Sequence, residues 1–262
     1  MAKAINDGFK FIKSKNNCVL MPGKGILGHV PPCYFKNVWY MPPQTGHKHA
    51  KHPKSISFDM TPYPYLLVLD FEANCLEKGE LPCQEIIEFP VVPVDVVNMK
   101  IMHDKTFHYY IKPSVVPNIT EFCTRLTGIT QDKVDGGISI QDALNRLDVW
   151  MADNGFDKGN STFVTVSRTD LLMFLKNEAD YKNIRLADYL KKFINITDIF
   201  KSTLHKEKAS GMIRMLSELN INLTGNHHSG IDDTRNTAKI VIDLLRRGAL
   251  LSKTQDVLVV DK

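Results

Sequence analysis

Residues 65–72, Tyr-Leu-Leu-Val-Leu-Asp-Phe-Glu, form an apolar run that stops abruptly at two carboxylates. Five apolar residues without a break predict a short buried strand, and residues i and i+2 of a strand share a face. Asp70 and Glu72 therefore project together from the end of that strand. Two carboxylates held side by side repel each other and lose solvation, an arrangement suited to gripping a hard divalent cation. A strand that runs into a solvated acidic turn has the same local sequence, so the rest of the chain must decide.

A chain of 262 residues accommodates one sizeable α/β domain with an extension, or two small domains. Its 43% hydrophobic and 24% charged residues are ordinary for a soluble globular protein, and a net charge of +4 permits a polyanionic partner without requiring one. The five cysteines are scattered and contain no C-x-x-C pair, and no apolar stretch near the N-terminus resembles a secretory signal. Reduced thiols and an intracellular location, cytoplasmic or nuclear, are the expectation. No apolar run approaches the ~18 residues of a membrane span, so no membrane partner is expected.

Residues 1–60 mix Lys and Asn with Pro22, Pro31, Pro32, Pro42, Pro43 and Pro53, which predicts an N-terminal extension that is mostly loop. Its His47-Lys48-His49-Ala50-Lys51-His52 cluster reads as a basic segment able to touch phosphates. A zinc site drawing on Cys18, His29 and Cys33 is the alternative, although the spacings match no paired-ligand pattern. From Pro64 onward the pattern becomes βαβ-like. Strands are predicted near 65–69, 84–97 and 105–112 as an antiparallel meander, with Pro90 and Pro93 placing the second at a bulge or an edge. A short helix over 120–125 follows, then an amphipathic helix over 139–153 with Ser139 as N-cap. A fourth strand at 162–166 leads to Asp170 and an apolar segment that opens a helix. A short strand at 193–196, a helix at 211–219 and a final helix from Asp233 to Gly248 complete the domain over 61–250, and 251–262 form a tail.

Asp70, Glu72, Asp170 and Asp233 thus fall at comparable places, near carboxyl ends of strands or at a helix start, where α/β sheets bind ligands. Four carboxylates in one crevice need cations. Two Mg²⁺ ions, or Mn²⁺ in their place, ~3.5–4 Å apart would supply the apparatus for in-line displacement at a phosphodiester. The stretch Asn226-His227-His228-Ser229-Gly230-Ile231-Asp232-Asp233 adds an imidazole that can take a proton from water at neutral pH. His227 with Asp232 and His228 with Asp233 have the same separation, so spacing leaves both pairs open. Helix phase aligns Asp233 with Thr237, Val241 and Leu244 on the apolar side, and Asp232 with Arg235 and Asn236 toward solvent.

Five motifs carry a family resemblance: Leu-Asp-Phe-Glu-Ala at 69–73, Gln-Glu-Ile-Ile-Glu-Phe-Pro at 84–90, Leu-Thr-Gly-Ile-Thr-Gln at 126–131, Thr-Asp-Leu at 169–171 and His-Ser-Gly-Ile-Asp-Asp at 228–233. Over about residues 61–250 the chain resembles the DEDDh exonucleases, and among them the Eri-type 3′-to-5′ exoribonucleases. The resemblance implies a ribonuclease H-like mixed five-stranded sheet flanked by helices. It implies release of 5′-nucleoside monophosphates from RNA with a free 3′ hydroxyl, single-stranded or with a 3′ overhang. Carried over residue by residue, Asp70 bridges both metals, Glu72 and Asp233 complete the first site, and Asp170 supports the second. His228 is the implied general base, and Glu72, Ala73, Leu126 and His228 the implied contacts to the terminal nucleotide. Leu126 matches the family's apolar wedge, with an ordinary core leucine as the alternative. Two departures stand out: Val166-Ser167-Arg168-Thr169 replaces the Trp usual before the third aspartate, and Asn74 replaces a Thr. A catalytically weak RNA-binding or scaffold protein of the same fold, and a DNA 3′ exonuclease, are the competing readings.

Overall fold

The computed structural model describes residues 61–208 and 211–252 throughout, and beyond them four strands: Phe9–Lys13, Cys18–Pro22, Trp39–Tyr40 and Gln255–Asp256. The chain divides into two compact units, Met1–Met60 and Thr61–Lys262. In the first, β1 (Phe9–Lys13) pairs antiparallel with β2 (Cys18–Pro22), and β3 (Trp39–Tyr40) runs parallel to β2. A segment expected to be mostly loop therefore contains a three-stranded sheet. Aromatic and β-branched residues such as Phe11, Ile12, Val19 and Trp39 favour strand, a signal outweighed in the sequence by the surrounding Pro and Gly. The 47–52 cluster, His29 and Cys33 lie outside the described residues.

The second unit contributes β4 (Tyr65–Leu69), β5 (Glu72–Ala73), β6 (Ile86–Asp95), β7 (Lys100–Ile101), β8 (Phe107–Tyr110), β9 (Ser161–Thr165), β10 (Lys192–Asn195) and β11 (Gln255–Asp256). The meander is present, with β6 antiparallel to both β4 and β8. On the far side of β4, β9 and then β10 run parallel to it, so the sheet is mixed. Five strands of four or more residues form its body, and the two-residue strands β5, β7 and β11 extend its margins. Because β11 pairs with β10, and buried Leu251 accepts a hydrogen bond from Thr61 Oγ1 at 3.0 Å, the sheet unit runs past residue 250.

Pro90 and Pro93 mark neither an edge nor a bulge of their own. They lie inside the ten-residue β6, with neighbours on both sides. A strand residue directs its N–H and C=O to the same side. The Pro93 carbonyl accepts the Met102 amide at 2.8 Å, so its missing N–H faces the gap between β7 and β8. By alternation Pro90 faces the other way. There β4 has paired through Leu69 with Val91, and the ladder resumes only at Glu72 opposite Glu88. Pro90 has no donor to offer at this interruption, and Asp70 and Phe71 occupy it.

Seven α-helices are present among the described residues: α1 (Glu121–Thr127), α2 (Gln131–Asp135), α3 (Ile140–Asp153), α4 (Lys176–Lys182), α5 (Ile196–Thr203), α6 (Met212–Glu218) and α7 (Gly230–Arg246). Ser139 caps α3 as its sequence predicts, accepting the Asp142 amide at 3.0 Å. Leu66, Leu67, Val68 and Leu69 are all fully buried, as a strand covered on both faces requires. Ile140, Leu144 and Leu147 of α3 join Leu67, Leu69 and Phe89 in the main core, and α7 also packs on β4 and β6. No helix among the described residues is long and apolar enough to cross a membrane.

A buried charge cluster ties β6 to α4. The Glu85 carboxylate accepts the amides of Ser114, Val115 and Val116 at 2.6–3.0 Å, while Glu178 accepts the Ile86 amide at 2.8 Å. Lys182 Nζ bridges both acids at 2.7 Å, and neither carboxylate is exposed. Burial pushes the Glu85 carboxyl up, but the ammonium and the three amides win and hold it below its ordinary range. Lys182→Met is therefore expected to lower stability by about 3–5 kcal/mol in denaturant unfolding, because it leaves two buried anions without their cation. A loss below 1 kcal/mol would show that the amides alone satisfy them.

Candidate active site

The interruption in the sheet builds the first half of the site. Phe71 turns into the core and packs edge-on against Phe89, ring centroids 4.6 Å apart. Its neighbours Asp70 and Glu72 thereby face the opposite way, as strand alternation demands. The Phe71 amide, released from the ladder, donates to Asp170 Oδ1 at 2.9 Å. Asp170 is buried in the π-helical turn Thr169–Leu175 that follows β9, a distortion often found at functional sites. The sequence predicted a helix opening here but not its π form.

The second half is the entrance of α7, which begins at Gly230 with Ser229 as N-cap rather than at Asp233. Asp233 occupies the first turn and is 4% exposed. Its Oδ2 accepts the His228 amide at 2.8 Å and lies 2.9 Å from His227 Nδ1. Its Oδ1 is buried without a hydrogen-bond partner. His228 adopts a left-handed backbone, φ 68°, and its ring stacks on that of His227 with centroids 3.8 Å apart. Asp232 accepts the Asn226 amide at 3.1 Å, and Asn236 accepts the Thr224 amide and donates to the Thr224 carbonyl. These two residues pin the loop over 224–226 to the helix. Asn236 is fully buried, contrary to the solvent-facing position that helix phase suggested, because the loop folds back over it. The imidazole beside Asp233 is that of His227, six residues away, a pairing that the five-residue spacing did not consider.

Sequence reasoning missed Glu88. This carboxylate, 1% exposed, accepts the amides of Gly230 at 2.9 Å and Ile231 at 3.3 Å, and meets His108 Nε2 at 2.7 Å. It holds the positive end of α7 against β6. A Cβ on Gly230 would lie 2.9 Å from Glu88 Oε2 and 3.0 Å from the Asp70 carbonyl, so only glycine lets the helix approach this closely. The signal was an acid amid apolar residues of a buried strand, inside a motif already noted. Glu88→Ala is expected to cost about 1–3 kcal/mol, the scale for orphaning buried donors, and Glu88→Gln less. Equal losses in urea unfolding would mean that charge, not the acceptor oxygen, matters.

Burial raises all four predicted carboxylates, and the charges of neighbouring acids add to it at Asp70 and Glu72. Glu72 is pushed up to about 9, chiefly by burial and then by Glu88, Asp233 and Asp170. Asp170 rises to about 7 through burial, against the pull of the Phe71 amide. Asp70 rises well above the usual range through burial and the charges of Asp170, Glu72, Asp233 and Glu88, and Asp233 rises through burial. The structure thus brings Asp70, Glu72, Asp170 and Asp233 together. Burial, then the neighbouring His227, lowers the His228 imidazole against the pull of Asp233, so it is neutral near pH 7. The donors are all oxygens, they lack positive charge, and Asp233 Oδ1 is an orphan. That set fits hard divalent cations.

Ala73 is buried at the start of the path to α1, where Cys123 Sγ lies 3.8 Å from the Ala73 carbonyl and Thr120 Oγ1 donates to the Cys75 carbonyl at 2.8 Å. Leu126 on this docked helix is 37% exposed, so it is no core leucine. Before Asp170, where the family's Trp is missing, Arg168 is exposed.

Residues 67–241 match the model of the exonuclease family RNase_T. The chain belongs to this exonuclease family. It is 41% identical to ERI1 exoribonuclease 3 of Homo sapiens over 76% of its length and 59% of the relative's. It is 34% identical to the 3′-5′ exonuclease Snipper of Drosophila melanogaster, covering 80% of this chain and 79% of that protein. The nuclease domain of 3′hExo, described as a DEDDh family member bound to rAMP, superposes with a TM-score of 0.70 and 30% identity, over 76% of this chain and all of that one. The chain thus belongs with the DEDDh, Eri-type family and has its ribonuclease H-like fold, and DEDDh enzymes depend on divalent metals. The chain spans about three fifths of the ERI1 exoribonuclease 3 sequences it matches.

Proposed function

We propose that this protein is a 3′-to-5′ exoribonuclease that releases 5′-nucleoside monophosphates from RNA ending in a free 3′ hydroxyl. The supporting observation is the convergence of Asp70, Glu72, Asp170 and Asp233, four acids raised by burial and, at Asp70 and Glu72, by the other acids, beside a neutral His228. These four carboxylates are the residues to hold two Mg²⁺ ions, for which Mn²⁺ substitutes. When bound, such ions make water a nucleophile and neutralise charge on the phosphodiester.

The chain's own groups do the rest. His228 takes the proton from the attacking water at a ring nitrogen, its lowered pKa keeping that nitrogen free near pH 7. Glu88 and the Asp232–Asn236 clasp keep the histidine loop against the acids. Glu72 and Ala73 contact the terminal nucleotide, and exposed Leu126 supports its base. Labelled single-stranded RNA should shorten from its 3′ end in Mg²⁺ and remain intact in EDTA. RNA blocked by a 3′ phosphate should react far more slowly. Equal rates on the blocked substrate would point to an endonuclease, and a preference for single-stranded DNA would reassign the substrate.

A further inference from the structure

The entrance of α7 assembles three donors of a different character from the four-carboxylate cluster. A ligand atom each from His227, His228 and Asp233 lie within 4.8 Å of one another. We propose that they form a zinc site, and that zinc held there takes Asp233 away from the catalytic cations and shuts the enzyme off. The zinc site stands on its own geometry, and only its inhibitory consequence rests on the exonuclease reading.

Two imidazoles and one carboxylate form a donor set that suits zinc, whereas Mg²⁺ prefers oxygen throughout. Bonds of about 2.0–2.1 Å place neighbouring ligand atoms of a tetrahedral zinc roughly 3.3–3.5 Å apart. His227 Nδ1 and Asp233 Oδ2 are already 2.9 Å apart, so a small opening admits the ion. With its left-handed backbone, His228 has its ring on the same side as that of His227, and the two rings, stacked with 24° between their planes, must turn about their own bonds to aim both lone pairs at one ion. The His228 amide orients the Asp233 carboxylate from behind, as ligating carboxylates require. Asp232, Asn236 and Glu88 hold both ends of the loop. His227 is 41% exposed and opens the site to solvent.

The two arrangements compete for the charge and position of one aspartate. A magnesium ion recruits it with the other carboxylates, and zinc recruits it with the histidines. Free zinc is therefore the inhibitor that this loop selects, acting at the residues that carry the chemistry.

The test uses the full chain stripped with EDTA and returned to metal-free buffer. Zinc is titrated calorimetrically, and cobalt is titrated as its visible reporter. The expected result is nitrogen- and oxygen-ligated cobalt, with binding weakened at least about tenfold by His227→Ala and again by His228→Ala. Asp70→Asn, which changes only the other cluster, should leave it in place. Undiminished binding in both histidine variants would overturn the proposal. So would loss on Asp70→Asn alone, or loss on replacing the cysteines and histidines of residues 1–60. In the unaltered protein, zinc should stop Mg²⁺-supported nucleotide release over the range in which this site fills, and inhibition unrelated to its filling would refute the competition. Because binding is read from the metal, a protein without nuclease activity would refute the exonuclease reading and leave the zinc site standing.

Discussion

Asp70→Asn, Glu72→Gln, Asp170→Asn and Asp233→Asn are each expected to reduce turnover to the assay floor while leaving the metal-free fold as stable as before or more stable. Each change removes a ligand, and each also removes a repulsion that burial amplifies. The gain should be largest at Asp70 and Glu72, where the charges of the other acids add to the burial. Asp170 and Asp233 accept backbone amides, a role that an asparagine oxygen keeps. The same physics fixes the pH response in EDTA. A carboxyl raised in the folded state binds protons there that the unfolded chain, with its pKa near ~4, has already released, so stability falls as pH rises. The loss spans pH ~4 to about 7 for Asp170 and to about 9 for Glu72. Each group contributes a slope of up to about 1.4 kcal/mol per pH unit inside its window. Urea unfolding at pH 5 and pH 8, with and without Mg²⁺, reads this directly. A variant that loses several kcal/mol in EDTA would reveal a structural partner for that carboxylate and refute its assignment.

His228→Ala is expected to lower kcat by ~10² or more, the usual scale for removing a general base. His227→Ala and Asp232→Asn should cost far less in kcat. Asp232 holds the Asn226 amide and flanks Arg235, at 3.4 Å, and an asparagine oxygen can still accept that amide. The competing outcome is concrete, because His227 is the imidazole beside Asp233 in the structure. Should His227→Ala prove the damaging change while His228→Ala stays active, the base is reassigned to His227 and the match of this loop to the family motif shifts by one residue. Single-turnover rates on short RNA at saturating enzyme separate the two, because they exclude product release.

The elements that local pattern specifies were legible. The strand over 65–69 is a fully apolar run, and α3 carries its apolar stripe and its Ser139 cap, so both emerge from nearest-neighbour chemistry. The four acids were singled out by their places at strand ends and a helix start together with the motifs around them, since the acidic end of one strand alone reads equally as a solvated turn. What stayed hidden depends on partners distant in sequence. Glu88 looks like any polar interruption of a strand until Gly230 arrives beside it, and Asn236 looks solvent-facing until the 224–226 loop covers it. The β6 prolines suggested an edge because local rules assume an unbroken ladder on both sides. The ladder has gaps, and the prolines occupy them. The strands of residues 1–60 were obscured by the turn-forming residues around them.

The clasps that assemble the site join positions far apart along the chain: Phe71 to Asp170 across 99 residues, and Glu88 to Gly230 across 142. Contacts of such separation close large loops and form late during folding. A ribosome-bound chain can complete the β4–β6–β8 meander while α7, with the last acid and the histidines, is still inside the exit tunnel. The candidate site thereby stays incomplete until nearly the whole sheet unit has been synthesised, and a chain cut short before His227 yields the scaffold without Asp233 and the two histidines.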